Sequence, residues 1–258
     1  MLHFYKYQGA GNDFILIDGR ERSFKNLTSE QIKKLCHRRF GIGADGLMIL
    51  KAIEGYDFEM NYYNADGKIG SMCGNGGRCI VAFARHLGLI HSEAHFMASD
   101  GEHFASFDKR GLVKLKMLDI ENIVEETNFS FLDTGSPHYV KFVDNPDLIN
   151  VFEEGKKIRY SDEYKPGGTN VNFISGLEKG IFVRTYERGV EDETYACGTG
   201  SVASAIAYYL KNKEIGNCIE VKTLGGMLEV SFENDNNKFR NVYLKGPAEL
   251  VFTGSIEI

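Results

Sequence analysis

Two cysteines sit in the same local sequence. Cys73, Gly74, Asn75, Gly76 and Cys197, Gly198, Thr199, Gly200 both read Cys-Gly-x-Gly, and each leads into a run of helical character. A cysteine at a helix start meets the positive end of the macrodipole and several backbone N–H groups without intrahelical acceptors, which favour thiolate over thiol. The adjoining glycines leave room for a ligand, and their N–H groups can bind a carboxylate. Each constellation therefore combines a base with a carboxylate anchor. Inverting a carbon stereocentre requires a proton to leave one face and another to arrive at the opposite face, a task suited to two opposed groups. One thiolate and one thiol meet that demand, and by exchanging roles they run the reaction both ways. The residues imply no pyridoxal cofactor, so fixed N–H dipoles in a site closed to water must stabilise the carbanion. A hinge that closes on substrate is then expected.

A single Cys-Gly-x-Gly is weak, because such a cysteine is as often a small packing residue in a turn. Repetition gives the pair its meaning. Cys79 falls inside an apolar helical run and reads as core, while Cys36 and Cys218 lack glycine neighbours and read as structural. Five cysteines, an odd number, argue against a disulfide framework. A protein of another class, a thiol redox protein with a reversible Cys73/Cys197 disulfide, would use the same two residues. A module that only captures an amino acid is a third reading.

Other polar residues have a bland reading beside a functional one. His138, in Ser136, Pro137, His138, is either a turn residue bonded locally or a group that tunes a nearby thiol. Glu187 and Arg188 are either a solvated strand-end pair or a clamp for an ammonium and a carboxylate. Gly9, Ala10, Gly11 lacks the third glycine of a dinucleotide fingerprint and runs into another strand, so it reads as a turn presenting Asn12. Gly41 to Gly46 lacks the Lys and Ser/Thr of a phosphate loop.

The elements that must carry these groups are mostly strands: short runs rich in β-branched and aromatic residues, bounded by Gly, Asp, Asn or Ser. Thr28 to Phe40 reads as an amphipathic surface helix. Gly77 to Leu87 and Ser201 to Leu210 are apolar around most of their circumference, which requires surrounding protein. A central helix wrapped by strands, occurring twice, is the expected arrangement, an α/β (α+β) chain with pseudo-twofold halves. The domains are expected at 1–118 and 119–249, with the final strand, 250–258, a candidate to rejoin the first.

A length of 258 residues with 43% apolar content supports a substantial core. With 30 Lys+Arg against 36 Asp+Glu, the formal charge of -6 argues against a nucleic-acid partner. Met1 to Gly9 turns polar before a signal-peptide core can form, and no stretch approaches membrane-spanning length. A soluble cytoplasmic protein without a membrane partner is expected.

Gly9 to Phe14, Asn64 to Gly67, Met72 to Cys79, Tyr186 to Gly189 and Ala196 to Gly200 together resemble the diaminopimelate epimerases, in order and over essentially the whole chain. The resemblance implies interconversion of LL- and meso-diaminopimelate without pyridoxal phosphate or metal, in lysine and peptidoglycan precursor biosynthesis. It also implies two similar domains, each a mostly antiparallel β-barrel around a central helix, an active site in the cleft between them, and a homodimer. Position by position, Cys73 and Cys197 match the catalytic thiols. Gly74, Asn75, Gly198 and Thr199 match the groups that hold the reacting carboxylate. Asn12, Asn64, Asn170, Glu187 and Arg188 match the grip on the distal amino-acid end, and His138 matches a residue near the thiols, with Glu187 a second tuning group. Two positions depart from the pattern: Gly46 stands where many members have a substrate-contacting Gln, and Ser136 where Asn is common. Proline-racemase-like isomerases share the broad fold, but proline lacks the second head that Glu187 and Arg188 would hold.

Overall fold

A computed structural model describes residues 1–21, 26–70 and 72–258. They fall into two compact units, Met1–Leu115 with Pro247–Ile258, and Lys116–Gly246.

In the first unit, β1 (Leu2–Gly9) and β2 (Asn12–Asp18) form a hairpin. Its two turn residues, Ala10 and Gly11, both have positive φ, 54° and 83°, the twist that a two-residue hairpin turn requires. The following elements are α1 (Ser29–Cys36), β3 (Gly46–Lys51), β4 (Phe58–Asn64), α2 (Gly74–His86), β5 (Glu93–Ala98), β6 (Gly101–Phe107) and β7 (Val113–Lys116). The terminal strand, Glu249–Ile256, pairs antiparallel with β1. From that strand to β7 the pairings run antiparallel, antiparallel, parallel, antiparallel, parallel, antiparallel, antiparallel.

The second unit contains β8 (Val124–Glu125), β9 (Phe129–Asp133), β10 (Pro137–Phe142), α3 (Val151–Arg159), β11 (Asn170–Gly176), β12 (Ile181–Glu187), β13 (Asp192–Thr194), α4 (Gly198–Lys211), β14 (Cys218–Thr223), β15 (Gly226–Asp235) and β16 (Lys238–Gly246). With β13 set aside as a short strand on β12, the pairings from β8 to β16 repeat the same series of seven. The helices repeat as well. In each unit one helix joins the strands of the first parallel pair and a second joins those of the next.

The second helix of each unit is the buried one. Cys79, Ile80, Val81, Phe83 and Ala84 of α2 are fully enclosed, as are Val202, Ala203, Ala205, Ile206 and Ala207 of α4. Each large apolar side chain so enclosed contributes about 1.5–3 kcal/mol. Helix α2 packs on β1, β2, β3 and the terminal strand, and α4 on β9 to β12, β14 and β15. Such a helix sits inside a curled, mostly antiparallel sheet. Among the described residues no helix is long and apolar enough to cross a membrane.

Some elements differ from the sequence reading. Helix α1 opens at the Thr28 cap, with a Thr28/Gln31 capping box, but stops at Cys36 rather than Phe40. The chain turns back there, and the N–H groups of Ile42 and Gly43 bond Leu35 O while that of Ala44 bonds Cys36 O. Helix α3 and the strands β5, β8, β9 and β13 were not legible. In α3 only Val151 and Gly155 are buried, too little apolar periodicity to signal a helix.

Candidate active site

In the first unit, Cys73 is the N-cap of α2 and its Sγ accepts from Gly76 N at 3.1 Å. Gly74 stands in the first turn, where helix geometry gives the N–H no intrahelical acceptor. Asn75 is buried and held from two sides: its Oδ1 accepts from Arg78 Nη2 at 2.9 Å, and its Nδ2 donates to Asn12 Oδ1 at 3.4 Å. Arg78 is fully buried and also donates to Gly74 O and Pro247 O. The helix start therefore has a rigid polar support inside the core.

Asn12 is oriented in turn by Asp45, whose Oδ2 accepts from Asn12 Nδ2 at 2.6 Å. Arg38 joins Asp45 to Asp13, donating to Asp45 at 2.6 Å and to Asp13 at 2.7 and 3.0 Å. Lys6 completes the group, 2.6 Å from Asp13. Burial alone would raise the Asp13 carboxyl, but hydrogen bonds from Arg38 and Lys6 outweigh it and hold the group well below the usual carboxylate range.

Strand register sets what faces the start of α2. Cross-strand partners share a face, and the pairs Phe14/Gly46, Gly46/Asn64 and Met48/Tyr62 put Asn12, Phe14, Gly46, Met48, Tyr62 and Asn64 on one side. Met48 Cε lies 3.4 Å from where a Cβ on Gly76 would be, beside Cys73 Sγ. This side therefore looks onto the Cys73 end of the helix.

In the second unit, Cys197 caps α4, accepting from Gly200 N at 3.4 Å. Thr199 Oγ1 lies 3.4 Å from Cys197 Sγ and 3.0 Å from His138 Nε2. His138 Nδ1 is 3.1 Å from Asn172 Nδ2, and Asn172 Oδ1 accepts from Thr185 Oγ1 at 2.9 Å. An amide NH2 can only donate, so His138 Nδ1 accepts and Nε2 carries the proton to Thr199. The Thr199 hydroxyl hydrogen is then available to the sulfur. Burial, reinforced by the charge of Arg188, pushes the His138 pKa down from 6.5 to about 3. The imidazole is neutral and reaches Cys197 through Thr199.

A second cluster in this unit gathers Ser136, Asn170 and Arg188. Asn170 Nδ2 donates to Ser136 Oγ at 2.8 Å, Arg188 Nη2 to the same oxygen at 3.1 Å, and Arg188 N to Asn170 Oδ1 at 2.8 Å. Glu187 is half-buried at the end of β12, accepting from Thr194 Oγ1 at 2.8 Å. Asn64 is exposed at the end of β4.

The remaining cysteines have other surroundings. Burial raises the Cys36 thiol to about 12 and Cys79 further, and also raises the exposed Cys218. Sequence reasoning missed Arg78, Asp45, Met48, Tyr62, Asn172 and Thr185. Asn172 carried a signal, since it lies two residues from Asn170 on the same face of β11.

The diaminopimelate epimerase family model matches residues 4–117 and 130–251. A diaminopimelate epimerase of Flavobacterium psychrophilum is 51% identical over 98% of this chain and 99% of the relative, and one of Chlorobaculum tepidum is 45% identical over 97% and 99%. Among solved structures, a Bacillus anthracis phenazine biosynthesis protein of the PhzF family superposes with a TM-score of 0.79 at 15% identity, covering 100% of this chain and 99% of that one. A probable proline racemase from Agrobacterium radiobacter gives 0.68 at 13%, covering 100% and 93%. At those identities the likeness is one of fold.

Proposed function

The chain belongs to the diaminopimelate epimerase family, and from that premise we propose that it interconverts LL- and meso-diaminopimelate with Cys73 and Cys197 as the acid/base pair. It is an isomerase. The observation that carries the assignment of the thiols is their equivalence: each caps the buried helix of one of two units with the same strand series.

In this reading one cysteine, as thiolate, removes the α-proton while the other, as thiol, delivers a proton to the opposite face. The carbanion is held by the helix-start N–H groups that bind its carboxylate, those of Gly74 and Asn75 and those of Gly198 and Thr199. No cofactor has a step in this chemistry. Asn12, Asn64, Asn170, Glu187 and Arg188 hold the distal head, which distinguishes the substrate from proline. The cytoplasmic setting and the homodimer belong to the same reading.

The test is entry of solvent deuterium at the α-carbon of diaminopimelate under reducing conditions. Wild-type protein is expected to exchange and epimerise, and Cys73→Ala or Cys197→Ala to lose epimerisation by at least roughly 100-fold with binding largely retained. No incorporation by reduced wild type would reject the reading, and turnover on proline alone would move the chain to another isomerase activity.

A further inference from the structure

Gly46 and Gly70 share a neighbour. A Cβ on Gly46 would lie 2.5 Å from Tyr62 Cε2, 2.8 Å from the backbone O of Tyr63 and 2.9 Å from the Tyr62 hydroxyl, and a Cβ on Gly70 would lie 2.6 Å from both Cδ1 and Cε1 of the same ring. Real Cβ atoms do not approach other atoms so closely, so the Tyr62 phenol fills space that a side chain at either position would need. Phe14 holds the ring edge-on, with centroids 6.1 Å apart at 76°.

The duplicated strand series shows what occupies this place in the other unit. Phe14 pairs with Gly46 as His138 pairs with Asn170, and Met48 pairs with Tyr62 as Asn172 pairs with Thr185. Position 46 is therefore the counterpart of Asn170, whose amide sits in the polar cluster with Ser136 and Arg188. In the first unit the polar side chain is missing at 46, and an aromatic residue one strand away, larger than its counterpart Thr185, takes the space and brings a hydroxyl with it.

Position along the strands separates this hydroxyl from the chemistry at Cys73. Met48 is the residue beside the sulfur, and Gly46 lies two residues further along β3, about 6.6 Å away. That offset is comparable with the four-bond separation between the two head-carrying carbons of diaminopimelate. Asn64, opposite Gly46 on β4, has its Oδ1 3.2 Å from the Cβ position of Gly70, so the phenol and this amide flank the same glycine.

We propose that Tyr62 is a specificity-determining residue, filling the space left by Gly46 and Gly70 and hydrogen-bonding the distal head of the substrate beside Asn64. The assignment rests on the diaminopimelate reading above. A phenol oxygen both donates and accepts, so it can serve the distal ammonium or the distal carboxylate.

Tyr62→Phe keeps the ring and removes only the hydroxyl. Its KM for diaminopimelate is expected to rise roughly ten-fold, the value of one hydrogen bond to a charged group, with kcat within about two-fold of wild type. Competitive inhibition by 2-aminopimelate, which lacks the distal ammonium, and by lysine, which lacks the distal carboxylate, identifies the partner: the Phe penalty should vanish for the analogue missing that group. An unchanged KM for Tyr62→Phe, or a penalty that persists in full with both analogues, overturns the proposal. Absence of deuterium exchange by the wild-type protein would instead overturn the substrate reading and this assignment with it.

Discussion

His138 Nε2 lies 3.0 Å from Thr199 Oγ1, and the same hydroxyl lies 3.4 Å from Cys197 Sγ. The amide of Asn172 fixes the imidazole tautomer, so the hydrogen-bond series runs in one direction, toward the sulfur. A donor directed at a sulfur stabilises its anionic form. Thr199→Val keeps the shape and removes the link. Alkylation of Cys197 by iodoacetamide at fixed neutral pH should slow several-fold, and epimerisation should fall by about ten-fold or more. Thr199→Ser should restore both.

His138 also ties stability to pH. Its folded pKa, about 3, lies below the ordinary 6.5, so between those values the unfolded chain binds a proton that the folded chain refuses. Stability from this residue is complete above pH 6.5 and declines as pH falls toward 3, by up to about 1.4 kcal/mol per pH unit. Chemical denaturation midpoints measured from pH 7 to pH 4 should fall more steeply in wild type than in His138→Gln. Equal slopes would show that the imidazole does not titrate as its burial requires.

The two cysteine helix caps were legible because their signal is local: a cysteine, its glycines and the helix behind them lie within a few residues. The apolar circumference of α2 and α4 likewise announced that strands must surround them. What stayed hidden is assembled across strands. Thr185, Asn172 and His138 lie on three different strands, and only their register makes a series. Helix α3 was hidden for another reason. Gly155 in its middle lowers helix propensity, yet it is required there, since a Cβ would lie 2.3 Å from Tyr186 Cβ. Its place between β10 and β11 repeats that of α1 between β2 and β3, a signal available only once the duplication is known strand by strand.

Arg78 offers a test of how the first helix start is held. Its side chain is fully buried and donates to Gly74 O, Asn75 Oδ1 and Pro247 O. Arg78→Met removes a costly buried charge but takes the donor from Asn75 Oδ1 and Pro247 O, while Gly74 O keeps the helical N–H of residue 78; each acceptor so left is worth about 1–3 kcal/mol. The second effect should win, with a net loss of about 2–4 kcal/mol in denaturant unfolding. A variant as stable as wild type would mean that the acceptors find other donors.

Asp45 is the opposite case, a residue with little to give to stability and much to orientation. Its ion pair with Arg38 is solvated, with side-chain exposures of 42% and 59%, and such pairs contribute about 0–1 kcal/mol. Its hydrogen bond at 2.6 Å, however, decides which way the Asn12 amide points, and Asn12 in turn meets Asn75. Asp45→Ala should leave the unfolding midpoint nearly unchanged, because Asp13 still holds Arg38. The KM for diaminopimelate should rise several-fold with a smaller change in kcat, as expected when a binding group loses its preferred rotamer. Asp45→Asn retains an oxygen that can accept from Asn12 and should recover most of the affinity. If Asp45→Ala and Asp45→Asn behave alike, the carboxylate acts through its charge rather than through the orientation of Asn12.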